Sequence, residues 1–251
     1  MYEELKKIID ESSRIVFFGG AGVSTESGVP DFRSEDGLYN AQQQYGMSPE
    51  EMISHSFFMR DTDTFFDYYK HNLIYRDVLP NRAHLALAKL EEQGKLSGIV
   101  TQNIDGLHQL AGSRRIYELH GSVQHNTCMK CGAHYDLDYI MDEQHCVDQA
   151  GRKTWVPYCE KCGGIVKPDV VLYEECLDDA TITGAVEAIS RADTLIVGGT
   201  SLVVYPAAGL IHYFHGKHLV LINKSATSYD RQAELVIREP IGEVLGDCVG
   251  V

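Results

Sequence analysis

Three polar blocks in this chain each follow an apolar run, and between them they carry the groups needed to hold a diphosphate and move a proton. The first runs Gly20-Ala21-Gly22-Val23-Ser24-Thr25-Glu26-Ser27-Gly28-Val29-Pro30-Asp31-Phe32-Arg33, directly after the buried-strand pattern Ile15 to Phe18. Glycines at a strand end let the backbone turn sharply and approach a diphosphate, whose charge the free N–H groups of the next helix can meet. Thr25 stands where a dehydrogenase fingerprint would place its third glycine, which argues against an ordinary NAD dehydrogenase. The second block, Thr101-Gln102-Asn103-Ile104-Asp105, follows the strand pattern Gly98 to Val100. The third, Glu118-Leu119-His120-Gly121, follows a short strand around Ile116 and Tyr117. An imidazole suits proton transfer near neutral pH, and an amide and a carboxylate nearby can orient a ligand. Polar groups at the carboxyl ends of parallel strands line the crevice where open α/β sheets bind ligands.

A second set of residues points to a metal. Cys128 and Cys131 form one CxxC pair, Cys159 and Cys162 another, and Gly132 and Gly163 follow them. Two such pairs supply four thiolates, the donor set of a closed tetrahedral zinc site with a structural role. His125, His134, His145 and Cys146 lie nearby and could substitute as ligands, although they are expected to be surface residues outside this set.

The elements that must position these groups follow from periodicity. Leu5, Ile8 and Ile9 give the first helix an apolar face, Ser48 can cap a short helix, and residues 61–79 carry an aromatic stripe on another. Asn81 can cap a helix carrying Leu85, Leu87, Ala88 and Leu90. Over 122–167 cysteine, glycine and charge replace apolar periodicity, which reads as a small inserted module. The α/β pattern then returns: a helix from Asp178 or Asp179, a strand at Thr194 to Val197, helical residues at 206–214, a strand at Leu219 to Ile222 and a last helix near 241–248. This alternation predicts a doubly wound parallel, Rossmann-like sheet, with a smaller zinc-binding module and a helical module inserted. The expected division is 1–33, 80–121 and 168–251 for the sheet domain, and 34–79 with 122–167 for the small one.

The motifs GAGVSTESGVPDFR (20–33), TQNID (101–105), His120-Gly121, the four cysteines, GTSLVVYP (199–206) and Asn223-Lys224 occur in the order found in sirtuins. The chain resembles that family of NAD-dependent protein deacylases over nearly its whole length. The resemblance implies that an acyl-lysine carbonyl oxygen attacks C1′ of the nicotinamide ribose, nicotinamide leaves, and an alkylimidate collapses to free lysine and O-acyl-ADP-ribose. It implies catalytic roles for His120, Asn103 and Asp105. It implies cofactor contacts from Gly20, Ala21, Gly22, Thr25, Phe32, Arg33, Gln102, Ile104, Gly199, Thr200, Ser201, Asn223, Lys224 and Cys248. Thr200 and Ser201 could equally cap a helix.

Val170, Val171, Leu172 and Tyr173 match the segment that pairs with substrate backbone as an added strand. Many relatives have Phe-Gly-Glu where Tyr173-Glu174-Glu175 stands, so the loop's conformation and peptide preference are open. Relatives that prefer acidic acyl groups carry a Tyr and an Arg three apart, where Phe66 and Tyr69 fall here. Lys70 and Arg76 are the nearest cations. A neutral acyl group is therefore expected, with acetyl-lysine proteins or peptides as partners. An NAD glycohydrolase or mono-ADP-ribosyltransferase using the same pocket is the alternative, and a zinc-bearing NAD-sensing module a third reading.

Bulk composition sets bounds. With 251 residues, 44% hydrophobic and 23% charged, the chain can bury a substantial core. The net charge of −14 opposes direct nucleic-acid binding. No long apolar span or signal peptide is evident, so no membrane partner is expected and the cytoplasm is the default. Clustered cysteines suit metal binding in a reducing compartment. Nothing in the sequence specifies an oligomeric state.

Overall fold

The computed structural model describes residues 2–31 and 42–251. Nine strands among them fall into two sheets: β1 (Ile15–Gly19), β2 (Leu96–Thr101), β3 (Ile116–Glu118), β4 (Gly121–Cys128), β5 (His134–Tyr135), β6 (Val166–Val170), β7 (Thr194–Gly198), β8 (His218–Ile222) and β9 (Leu235–Ile237). Six of them make a parallel sheet in the order β3-β2-β1-β7-β8-β9. The chain builds outward from β1 to β3, then restarts at β7 on the other side of β1. The switch point therefore lies between β1 and β7, whose last residues Gly19 and Gly198 are in register. A crevice opens at that end of such a sheet, which is where the glycine block begins.

β1 shows why both faces are covered. Its residues are all buried, and the period-two alternation divides them. Ile15 and Phe17 join the helices Glu3–Glu11, Arg82–Glu92 and Ile241–Val249 in one core. Val16 and Phe18 join the helix Asp179–Arg191 and the 3₁₀ segment Ala207–Tyr213 in another. Truncating a buried aromatic of this kind typically costs about 3–5 kcal/mol. Caps fix where the helices begin. Asn81 Oδ1 accepts from Ala83 N at 2.9 Å, while His84 Nδ1 accepts from Asn81 N at 3.2 Å. Asp178 accepts from Thr181 N at 2.7 Å, and such bonds hold its carboxyl below the usual range.

The remaining strands form an antiparallel sheet, β5-β4-β6. Its inner residues share one core with the helices Pro49–Met52, His55–Arg60 and Thr62–Asn72: Phe57, Phe58, Phe65, Phe66 and Tyr69 pack with Val123, Ile140, Val156 and Val166. Two cysteines, Cys128 and Cys159, are buried in that cluster. The helical segment and the cysteine-rich segment, far apart in sequence, are thus one packed unit. The fading of apolar periodicity after residue 122 reflects short strands and turns around the cysteines.

Candidate functional site

A cavity of about 310 Å³ lies where the two packed units meet. Gly20 and Ala21 line it from the end of β1, and Gly199, Thr200 and Ser201 from the end of β7. Gln102, Asn103, Ile104 and Asp105 line it from the end of β2, and His120 from the turn after β3. Val170, Val171, Leu172 and Tyr173 line it from β6 and the segment beyond. Residues of all three blocks and of the segment Val170 to Tyr173 are therefore brought to one place.

The glycine turn is shaped by backbone approach. A Cβ on Gly22 would lie 2.8 Å from Gly199 Cα, and one on Gly20 would lie 2.9 Å from Thr200 Cβ. Gly22 N donates to Gly199 O at 2.8 Å, tying the two strand ends together. This close-set glycine turn at the switch point fits a diphosphate, which needs backbone rather than side chains at its surface. Gly121 makes the other demanding turn. Its φ is 73°, and a Cβ there would collide with the Asp169 carbonyl, so only glycine lets the chain leave His120 at this angle.

The polar groups are linked. His120 Nδ1 donates to the Gln102 carbonyl at 3.0 Å. A carbonyl can only accept, so the neutral imidazole keeps its basic lone pair on Nε2. Asn103 Nδ2 donates to Ser24 Oγ at 3.0 Å, and Ser24 Oγ donates to Asp105 Oδ2 at 2.6 Å. Asp105 Oδ1 accepts from Leu107 N at 2.9 Å, which fixes the carboxylate at the base of the loop. Gln102 Nε2 donates to Thr200 Oγ1 at 3.1 Å and joins the ends of β2 and β7. Thr200 Oγ1 also accepts from Leu202 N at 3.2 Å, closing a local turn rather than capping a helix.

Other expected residues are not among those that line this cavity. Gly22 and Thr25 are not in the described lining, and Thr25 Oγ1 donates to Gly22 O at 3.0 Å. Asn223 and Lys224 follow β8 and are not in the described lining, and Asn223 Nδ2 donates to Ser225 O at 2.9 Å. Cys248 is half-buried against the core that holds Ile15 and Phe17, and burial pushes its thiol up to about 11. Phe32 and Arg33 lie outside the described residues. Phe66 and Tyr69 correct the acyl-pocket alignment: both are fully buried in the small-unit core. The helix turns its aromatic stripe toward the cysteine-rich sheet, and only its end, Asn72, with Leu73 and Tyr75, reaches the cavity. Ser24, Val29, Pro30, Ile53 and Tyr205 also line it. Of these, Ser24, Val29 and Pro30 lie inside the glycine block and Tyr205 inside the motif at 199–206, and only Ile53 had no signal.

The loop after β6 keeps the backbone a glycine would supply. Glu174 has φ 76°, so the departure from Phe-Gly-Glu leaves a left-handed residue in place. Its carboxylate accepts from Ser56 N at 2.8 Å and Ser56 Oγ at 2.9 Å.

The four cysteines converge as expected. The Sγ atoms of Cys128, Cys131, Cys159 and Cys162 all lie within 4.8 Å of one another, with contacts of 3.5 Å and 3.7 Å. A tetrahedral ion with bonds of about 2.3 Å places its sulfurs about 3.8 Å apart, so the cluster fits zinc. These separations are far from disulfide bonding. His125 and His134 are exposed and Cys146 is buried, and none joins the cluster.

Comparison with known proteins gives one answer. The Sir2 family model matches residues 20–206. An NAD-dependent protein deacetylase of Clostridium acetobutylicum is 63% identical over 242 residues, 96% of this chain and 95% of that protein. One from Staphylococcus epidermidis is 44% identical over 98% of this chain and 96% of its own length. Among solved structures, a Sir2 homologue–NAD complex superposes with a TM-score of 0.83 at 37% identity, covering 100% of this chain and 93% of its own. A Sir2 complex with deacetylated p53 peptide and 3′-O-acetyl ADP-ribose gives 0.85 at 34% identity, covering 97% and 95%. No helix among the described residues is long and apolar enough to cross a membrane. With matched residues spanning most of its length and relatives at this identity, the chain belongs to the Sir2 family.

Proposed function

We propose that this protein is an NAD-dependent protein lysine deacetylase, which releases nicotinamide and yields free lysine and O-acetyl-ADP-ribose. The observation that carries this reading is one cavity holding a phosphate-type glycine turn, His120 with its basic nitrogen set by the Gln102 carbonyl, and the segment Val170 to Tyr173. Bound NAD supplies an electrophilic ribose C1′ and a nicotinamide leaving group. The protein supplies position and proton transfer. Gly20, Ala21, Gly22 and Thr25 hold the diphosphate side, with Phe32 and Arg33 assigned to the cofactor from the motif alone. Gly199, Thr200, Ser201, Asn223, Lys224 and Cys248 are assigned to the adenosine side. Asn103 orients a ribose hydroxyl or water, Asp105 accepts from the nicotinamide amide, and His120 takes a proton from a ribose hydroxyl. Ile104, Val170 and Leu172 offer an apolar wall that disfavours water, which protects a reactive species from hydrolysis.

The reading assigns NAD to residues 1–33, 80–121 and 168–251, and assigns 34–79 with 122–167 to a small domain that closes the cavity and holds zinc. An acidic chain with thiol-rich metal ligation supports a cytoplasmic protein with no direct nucleic-acid role. Continuity between the cavity and the segment Val170 to Tyr173 favours acyl transfer from a peptide over simple NAD hydrolysis or ADP-ribosylation. Mass spectrometry of products from NAD plus acetylated peptide tests this. O-acetyl-ADP-ribose equimolar with nicotinamide is expected, with both lost in His120→Ala. Nicotinamide released at the same rate without peptide would overturn it.

A further inference from the structure

Two adjacent carboxylates after β6 differ in what they meet. Glu175 accepts from Lys167 Nζ at 3.2 Å, from Leu172 N at 2.9 Å, and lies 2.9 Å from His55 Nδ1. Burial pushes its carboxyl up, but the His55 and Leu172 hydrogen bonds and then the Lys167 charge outweigh it and hold the group below the usual range. Glu174 meets only the amide and hydroxyl of Ser56, both neutral, and forms no ion pair among the described residues. Both line the cavity, together with Asp31 and Asp105, and no Lys or Arg lines it among the described residues.

Glu174 is also held in place. A non-glycine residue at φ 76° carries a backbone penalty, and the two Ser56 bonds are what this side chain gains there. Those bonds immobilise the carboxylate at the exposed rim beside Tyr173. The ordering cost of a charge fixed this way is met before a ligand arrives. Ser56 leaves the negative charge uncompensated, so it acts on whatever flanks the residue entering the cavity.

We infer that Glu174 is a specificity-determining residue that selects acetyl-lysine peptides carrying Lys or Arg beside the acetylated position and disfavours Asp or Glu there. This inference rests on the proposed deacetylase function. An exposed pair alone gives a modest effect, and exchanging a cation for an anion replaces attraction with repulsion.

The test measures binding by fluorescence anisotropy and turnover by kcat/KM. It uses acetylated and unmodified peptides in which each flanking position is in turn Lys or Glu, at low and high salt. For the wild type, at one or two flanking positions, Lys should be preferred over Glu by about fivefold to tenfold at low salt, shrinking at high salt. Glu174→Gln keeps an acceptor for Ser56 and removes the charge, so the preference should fall below about twofold. Glu174→Gly, which removes side chain and charge together, should lose the preference equally. An undiminished preference in both variants, or none in the wild type, overturns the inference. If binding depends on acetylation but not on flanking charge, only this inference falls. If unmodified peptides bind as well as acetylated ones, the deacetylase reading falls with it.

Discussion

The Ser24 hydroxyl donates to Asp105 Oδ2 at 2.6 Å while accepting from Asn103 Nδ2 at 3.0 Å, so a residue from the glycine block organises two from the block after β2. Without Ser24 Oγ the Asn103 amide loses an acceptor and the Asp105 carboxylate a donor. A misplacement of about 1 Å near a reacting centre can cost about 10²-fold. Ser24→Ala should therefore lower kcat/KM for acetylated peptide by roughly 10–10²-fold while leaving the thermal melt near wild type. Steady-state kinetics beside a melting curve check this. Wild-type kcat/KM in the variant would remove Ser24 from the organising network.

The zinc site is tied to the small-unit core through Cys128 and Cys159, each buried among its aliphatic side chains. Thiolates brought together without a cation repel one another, so metal binding and folding of β4, β5 and β6 are one event. Removing the metal with a chelator should lower the melting midpoint by at least about 5 °C and suppress activity through loss of structure. Loss of tryptophan or circular-dichroism signal should accompany metal release measured with a chromophoric zinc indicator. Metal release with an unchanged melt would show that the cluster is not structural.

The parts that were legible from sequence share one physical cause. Apolar runs ending in glycine or polar residues mark the carboxyl ends of buried parallel strands, and β1, β2 and β7 each end within a residue or two of such a boundary. CxxC spacing is local geometry, so the cysteine cluster could be read directly. What could not be read depends on long-range packing. Which face of Thr62–Asn72 points at the cavity is set by β4 and β6, which is why Phe66 and Tyr69 lie in the core and Leu73 and Tyr75 line the site. The same holds for Glu174. Its left-handed backbone is local, but the Ser56 partner that anchors it comes from a separate helix.

A buried histidine pair under the Asp105 loop should make stability pH-dependent. Burial drives His108 down to about 3, with His84 contributing, and burial drives His84 down to about 4 against the opposing pull of Asp105. The rings are 4.8 Å apart, and both nitrogens of His108 lack a partner among the described residues. Their folded values lie below the ordinary value near 6.5, so the unfolded chain takes up protons first as pH falls. Stability should thus decline as pH drops from about 6.5 toward 4, with the full contribution present above that window. His108→Phe replaces two unpartnered nitrogens by carbon and should flatten this decline while changing stability at neutral pH by no more than about 1 kcal/mol. Urea melts of both proteins across the window decide it; parallel slopes would show that His108 is not a source.

The acyl preference follows from what faces the cavity. Its described lining contains Asp31, Asp105, Glu174 and Glu175 and no Lys or Arg. The two cations nearest in sequence are engaged elsewhere. Lys70 Nζ lies 3.1 Å from Cys146 Sγ inside the small-unit core, and Arg76 pairs with Asp138. A succinyl carboxylate entering this cavity would shed water with no Lys or Arg among the described lining residues to meet it, against a described lining that is already acidic. An acetyl group needs only the apolar surface that Ile104 and Leu172 present, and an added methylene gains about 0.8 kcal/mol where space allows. We therefore expect kcat/KM for an acetyl-lysine peptide to exceed that for the matched succinyl-lysine peptide by at least about tenfold, about 1.4 kcal/mol of discrimination. Leu73→Arg, which places a cation on the cavity wall, should narrow that ratio by improving the succinyl substrate. Both peptides measured side by side on both proteins settle the point: desuccinylation equal to deacetylation in the wild type would mean that a cation reaches the acyl group after all.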